Sequence, residues 1–234
     1  VRVQTSAQGR ALIVDETFAS LHRDEGPATG CVWDAIAAPA LLLVGRPRPR
    51  VLVLGLGGGS AARIVRAILP DAGIVGVELD PDVVAAARAH FDLDGLDVEL
   101  HVDDALRFLR SDRRRHDLVL EDVFVGHGDD VHKPAWIPHP GHDLVRRRLR
   151  PDGILVSNTI DEHRAVEAGL VAAFPHVVRI DVEDYDNRVL VASDRPLSAR
   201  DLRARVAGSA VLGETLGLMR FRAAARRRGP RGRR

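Results

Sequence analysis

The chain has 234 residues, 45% of them hydrophobic and 29% charged, a balance that excludes disordered and fibrous classes and leaves enough aliphatic side chains for one folded core. Its single cysteine, Cys31, excludes a disulfide framework and a thiolate metal cluster and fits a reducing, cytoplasmic setting. No apolar run is long enough to span a bilayer and nothing resembles a signal peptide, so no membrane contact is expected.

The net charge of +1 divides into −7 over residues 1–219 and eight arginines without an acid from Arg220 onward. That division predicts a solvated, disordered basic tail available for weak contact with polyanions. One lysine, Lys133, stands against 33 arginines. The bias is compositional, so single arginines carry little functional weight.

In chain order, residues 1–25 alternate apolar and polar, with turn chemistry at Gly9 and Asp15-Glu16. They predict two or three antiparallel strands, a small β-domain over residues 1–30. Val32–Val44 is rich in Ala and Leu without alternation and predicts a helix with Trp33, Ile36 and Leu41 on its buried side, kinked or shortened by Pro39. After the connector GRPRPR, VLVLG has the character of a short, fully buried strand.

Strand candidates follow at 74–79, 97–102, 117–122 and 153–158, separated by the helical stretches AARIVRAIL, DPDVVAAARAHF and DLVRRRL. This alternation calls for a mainly parallel sheet covered on both faces. HVVRIDVE and NRVLVASD add an antiparallel hairpin near the sheet edge. Residues 31–205 form one α/β domain on this reading, and 206–234 a C-terminal helix with the Arg-rich tail.

The chemistry-bearing residues fall at strand ends. Gly55, Gly57, Gly58 and Gly59 follow the buried strand and open a helix, so the backbone can turn tightly and aim free N–H groups at a nucleotide. Glu78, 23 residues beyond Gly55 at the end of the next strand, is placed to accept both hydroxyls of a ribose. Asp80 caps the following helix or joins that site. Asp103-Asp104 ends the third strand, where a carboxylate can accept from the amine of adenine or cap the helix that follows.

Glu121 and Asp122 end the fourth strand. There, burial and mutual repulsion raise one pKa toward general-base values, with loop ordering as the alternative role. The loop 126–141 collects His127, His132 and His139 beside Asp129, Asp130 and Trp136, with His142 just beyond it. The spacing matches no compact ligand pattern, so no metal is expected.

Taken together, GRALIVDETFASLHRDEG, VLVLGLGGGSAARIV, VELDPDVVAAARAHF, VDDALRFL, HDLVLEDVF and LRPDGILVSN resemble the spermidine synthase (polyamine aminopropyltransferase) family over most of residues 5–195. The resemblance implies an α/β fold with a Rossmann-like, S-adenosylmethionine-dependent methyltransferase-type sheet and a small N-terminal β-strand domain, in an assembly that is at least a homodimer. It implies transfer of an aminopropyl group from decarboxylated S-adenosylmethionine, a co-substrate rather than a tightly bound cofactor, to a small-molecule amine without a metal. Glu78 would hold the ribose, Asp104 and Ala105 the adenine, and Asp122 would deprotonate the amine.

The sequence also departs from the family. Gly58 stands where the family commonly has an Asp that holds the aminopropyl ammonium, and Val125 stands where a second acid grips the far end of a diamine. Trp33 and Asp34 occupy the helix that carries Tyr, Gln or His in the family's amine pocket; with Glu121 they are the acceptor-side candidates. The GLGGG loop is similar to that of divergent spermidine synthase-like proteins. Methyl transfer from intact S-adenosylmethionine is the alternative, since Gly58 removes a carboxylate that would repel the donor's own. A non-catalytic nucleoside-binding homologue is the third reading.

Overall fold

The computed structural model describes residues 1–224. Alternation at the N-terminus produces an antiparallel meander of β1 (Arg2–Ser6), β2 (Gly9–Val14) and β3 (Thr17–His22). Asp15 and Glu16 both take left-handed backbone, φ 48° and 60°, the geometry that lets a two-residue turn follow the twist of its strands. Buried Leu12 in this sheet packs on Val83 and Phe91, which come from the α/β part of the chain.

The predicted helix after this sheet is divided. α1 (Val32–Ala37) is buried throughout and continues as a 3-10 segment, Ala38–Leu43. Pro39 has no N–H to continue the α ladder, so the chain tightens there, and Leu41 remains buried as expected.

Strands and helices then alternate: β4 (Arg50–Leu54), α2 (Ser60–Ile68), β5 (Gly73–Glu78), α3 (Pro81–His90), β6 (Val98–Val102), α4 (Ala105–Ser111) and β7 (His116–Glu121). A small hairpin, β8 (Val125–His127) and β9 (Asp130–His132), precedes α5 (Gly141–Arg148), β10 (Leu149–Thr159) and α6 (His163–Ala173). The chain continues through β11 (His176–Val182), β12 (Arg188–Ser193), α7 (Ala199–Ala207) and β13 (Met219–Ala223).

The main sheet has the order β13-β11-β12-β10-β7-β4-β5-β6. The five strands from β10 to β6 are parallel, and β12, β11 and β13 are added antiparallel to their neighbours. Apolar side chains of β4, β7 and β10 alternate between two cores. One is shared with α1, α2 and α7, the other with α4, α5 and α6. This is a three-layer, Rossmann-like arrangement whose strand order reverses at β4, the place where such sheets leave a crevice.

Three features differ from the sequence expectation. The predicted elements do not include α6, whose buried contacts reduce to Val166 and Leu170 with Gly169 between them. The expected disordered end is, through Ala223, the edge strand β13. Met219 and Phe221 face the core while Arg220 and Arg222 pair with Glu183 and Asp181 at 2.9 and 3.2 Å. The period of two, not net charge, decides that segment. The helix expected within 206–234 is absent among the described residues: α7 ends at Ala207 and a 3-10 segment, Gly213–Leu218, follows. Residues 225–234, with the rest of the basic tail and its expected polyanion contact, lie outside the described residues.

The N-terminal sheet is joined to α2 by buried Ser60, whose hydroxyl lies 2.9 Å from both the N–H and the C=O of Leu21. Ser60→Ala leaves two buried backbone groups unpaired. It is expected to cost about 1–3 kcal/mol in chemical denaturation and to speed amide exchange in β3.

Candidate active site at the strand ends

At the reversal point, the ends of β4 and β7 meet. The N–H of Asp122 donates to the carbonyl of Leu54 at 2.9 Å. Gly55 turns the chain out of β4 with φ 77°, and a Cβ there would lie 2.5 Å from the Asp122 carbonyl oxygen. Only glycine satisfies both the left-handed backbone and the close approach.

The nucleoside-side candidates line the adjoining strands. The Oε2 of Glu78 accepts from the N–H of Gly57 at 2.8 Å, and its Oε1 accepts from Leu79 and Asp80 at 2.8 and 3.2 Å. The carboxylate therefore braces the glycine loop and keeps one of its roughly four acceptor positions open. Asp80 is the N-cap of α3 and accepts from Asp82. Asp104 caps α4 through Oδ1, beside buried Ala105, while Asp103 pairs with Arg107. Leu79 and Val102, at neighbouring strand ends, are 64% and 50% exposed, an apolar surface set between polar anchors as in small-molecule sites.

Gly58 has its own explanation. A Cβ at this position would stand 2.8 Å from the Ser20 Cβ and 3.1 Å from the Phe91 ring. The Gly58 N–H donates to the Ser20 hydroxyl at 2.7 Å. Strand β3 thus fills the space that a loop carboxylate would need.

The two acids after β7 have opposite environments. Glu121 is fully buried; Oε1 accepts from the Lys133 ammonium at 2.6 Å and the Val123 N–H at 3.0 Å, and Oε2 from the Ser157 hydroxyl at 2.6 Å, with the His142 Nε2 at 3.5 Å. Burial pushes its pKa up, but the Lys133 charge and the His142 and Lys133 hydrogen bonds outweigh it and hold the group at about 2. Asp122 is half-buried and accepts at Oδ1 from Asn158 at 2.8 Å, and Asn158 in turn accepts from Asn187 at 3.0 Å. Burial, reinforced by the Glu121 charge, raises Asp122 to about 6 against the opposing effects of Lys133, Asn158 and Trp33. A carboxylate ionised just below neutrality suits a general base.

Trp33 is buried beside Asp122, with the edge of Phe18 packed on it at 5.0 Å between ring centres. The expectation that Asp34 and Glu121 face the acceptor is corrected. Asp34 has no exposed surface and accepts from the Thr29 N–H and hydroxyl, both at 2.7 Å, and from the Gly30 N–H at 2.9 Å. Glu121 has every acceptor position engaged. Both carboxylates serve the protein's own donors because burial leaves an ionised group no other way to be satisfied.

The hairpin β8–β9 closes one side. The Gly128 N–H donates to Asp15 at 2.7 Å, and the Thr17 hydroxyl donates to Gly128 at 3.1 Å, which ties the hairpin tip to the β2–β3 turn. His139 pairs with Asp143 at 2.9 Å, and among the described residues no three metal-capable side chains come together. Open surface concavities of about 430 and 400 Å³ lie around α7, away from the strand ends; the converging polar groups, not these hollows, mark the site.

Sequence reasoning missed Lys133, Ser157, Asn158, Ser20 and Phe18. The signals were present in part: a single lysine among arginines, and a Ser-Asn pair ending an otherwise apolar strand. Nothing local connects Ser20 with Gly58.

The family model described as "Methyltransferase domain" matches residues 51–153. The chain is 32% identical over 159 residues to an eEF1A lysine and N-terminal methyltransferase homolog of Drosophila pseudoobscura pseudoobscura, covering 62% of this chain and 23% of that protein. It is 36% identical over 110 residues to a polyamine aminopropyltransferase of Chromobacterium violaceum, covering 46% and 41%. The chain thus spans well under half the length of these relatives. In structure it resembles a probable spermidine synthase from Corynebacterium glutamicum, with TM-score 0.71 and 21% identity over 95% of this chain and 86% of that one. The fold is the Rossmann-like type of S-adenosylmethionine-dependent methyltransferases, with a small N-terminal antiparallel sheet.

Gly58→Asp is expected to destabilise the protein by about 1–3 kcal/mol through overpacking against Ser20. The double variant Ser20→Gly/Gly58→Asp is expected to recover part of that loss, as read by urea denaturation.

Proposed function

We propose that the chain is a transferase that moves an alkyl group from an adenosyl-sulfonium donor to an amine, with Asp122 as the base. The observation that carries this reading is the placement of Asp122, a carboxyl raised to about 6, against the glycine loop that Glu78 braces. The residues fit such a donor. Glu78 has an open acceptor position for ribose hydroxyls, Leu79 and Val102 offer apolar surface for adenine, and Asp104 with the Ala105 N–H offers polar contacts for its edge.

The chemistry needs little beyond position. Asp122 accepts a proton from the ammonium form of the amine, or from the nitrogen as it bonds to carbon; the nitrogen lone pair attacks the carbon next to sulfur, and the electrons of the breaking C–S bond neutralise the sulfonium. A neutral thioether leaves. Trp33, Phe18 and the hairpin β8–β9 limit water around the amine.

Aminopropyl transfer from decarboxylated S-adenosylmethionine, in polyamine synthesis or a related step, is the first reading. The relatives named polyamine aminopropyltransferase support it. Methyl transfer from intact S-adenosylmethionine is favoured by one observation: Ser20 stands where a loop carboxylate would meet the aminopropyl ammonium. The relative named as a protein methyltransferase is in keeping with it.

Calorimetric titration with both donors and with methylthioadenosine separates the readings. Preference for the decarboxylated donor and methylthioadenosine is expected for aminopropyl transfer, and preference for the carboxylated donor for methyl transfer. Glu78→Ala is expected to abolish binding; no binding by the unaltered protein would overturn the proposal.

Asp122→Asn is expected to keep donor affinity and to lose on the order of 10²-fold or more in turnover. In the unaltered protein, activity should fall as pH drops through about 6, where Asp122 takes up its proton. The sign for stability is the reverse. A raised folded-state pKa stabilises the protein below the unfolded value and loses that contribution as pH rises through about 6. Asp122→Asn should therefore melt no lower than the parent above pH 6.

A further inference from the structure

We propose that Lys133 is a positioning residue: its ammonium clamps the backbone and side chains on either side of Asp122, holding that carboxylate in place and tying it to the hairpin β8–β9. The inference rests on Asp122 being the base.

The geometry is specific. The Lys133 Nζ lies 2.6 Å from the Glu121 Oε1, the residue before Asp122, and donates to the carbonyl of Val123, the residue after it, at 2.9 Å. The ammonium stands 4.0 Å from the centre of the Phe124 ring. One cation thus engages residues 121, 123 and 124, while the Asp122 N–H is held by Leu54 from the other side. The side chain is almost fully buried. Its own amide N–H donates to Glu162 at 2.6 Å, which fixes the point where the hairpin rejoins the domain.

A buried ion pair contributes little net stability, since desolvation cancels most of the attraction. Here it leaves the neighbouring carboxylate reactive. Glu121 uses its four acceptor positions inside the protein, whereas among the described residues the Asp122 carboxylate accepts a hydrogen bond only from the neutral donor Asn158, with Trp33 beside it. The charged groups bearing on Asp122 are Lys133 and Glu121; His142 and Ser157 reach Glu121 on its far oxygen. Removing the ammonium therefore removes the positive charge that favours the ionised base and also frees the Val123 carbonyl.

The test compares Lys133→Met, Lys133→Arg and the double variant Glu121→Gln/Lys133→Met, which removes both buried charges together and protects folding against an unpaired Glu121. In Lys133→Met the acid limb of the pH–rate profile is expected to move up by about one unit, with kcat lowered at least tenfold and donor affinity within twofold. The double variant should show a smaller upward shift with kcat still lowered, because the grip on Val123 is lost. Lys133→Arg should restore most of both.

Carbon-13 NMR titration of the Asp122 carboxyl makes the same comparison without turnover, so failure of the transferase reading and failure of this one are distinguishable. Folded variants with the Asp122 titration unmoved and, where turnover exists, kcat within twofold of the parent would overturn the role of Lys133.

Discussion

The structure depends on one close approach, where Gly55 at the end of β4 meets the backbone of Asp122 at the end of β7. The chain leaves β4 toward β5 and β6 on one side and returns to β7 and β10 on the other. These two strand ends must pack without a side chain between them, while the connections diverge above. The crevice follows from that divergence. The same contact brings the carboxylate that follows β7 next to the glycine loop, whose N–H groups from Gly55 to Gly59 are taken up by Val77, Glu78, Ser20 and Leu56 rather than left free as the sequence suggested.

Polar burial around this joint is organised by satisfaction. Two adjacent acids cannot both stay ionised in a dry pocket unless one is neutralised internally. Glu121 is that one, surrounded by Lys133, Ser157, His142 and the Val123 N–H. Asp122 is left with neutral partners and a raised proton affinity. The difference between the two residues is one of direction: successive side chains at the end of a strand point to opposite faces.

The N-terminal sheet has a share in the same site. β3 lies along the glycine loop, with Ser60 bridging Leu21, Ser20 holding Gly58, and Phe18 packed on Trp33. The β2–β3 turn reaches the tip of the β8–β9 hairpin through Asp15, Thr17 and Gly128. Residues distant in the chain thus form a continuous wall. A small sheet that cannot bury much surface alone is stabilised by that contact and by the Leu12, Val83 and Phe91 cluster.

The parallel core was legible in the sequence because its information is local. Buried strands are continuous apolar runs, helices have period-3.6 stripes, and the Gly55–Gly59 loop with Glu78 keeps a fixed spacing that a βα unit imposes. The strand ends carrying Glu78, Asp104 and Asp122 follow from that pattern alone. β13 was hidden because clustered arginines mask a short alternation whose apolar members, Met219 and Phe221, are only two.

The partners of the acids were decided by tertiary structure. Asp34 and Glu121 look like ligand contacts in the sequence and are internal braces in the fold. Ser20 replaces a side chain at Gly58 across a separation of 38 residues, and Lys133 returns from the hairpin to residues 121–124. Such pairings depend on where distant segments dock, and no local periodicity encodes which of two neighbouring carboxylates will find a cation waiting.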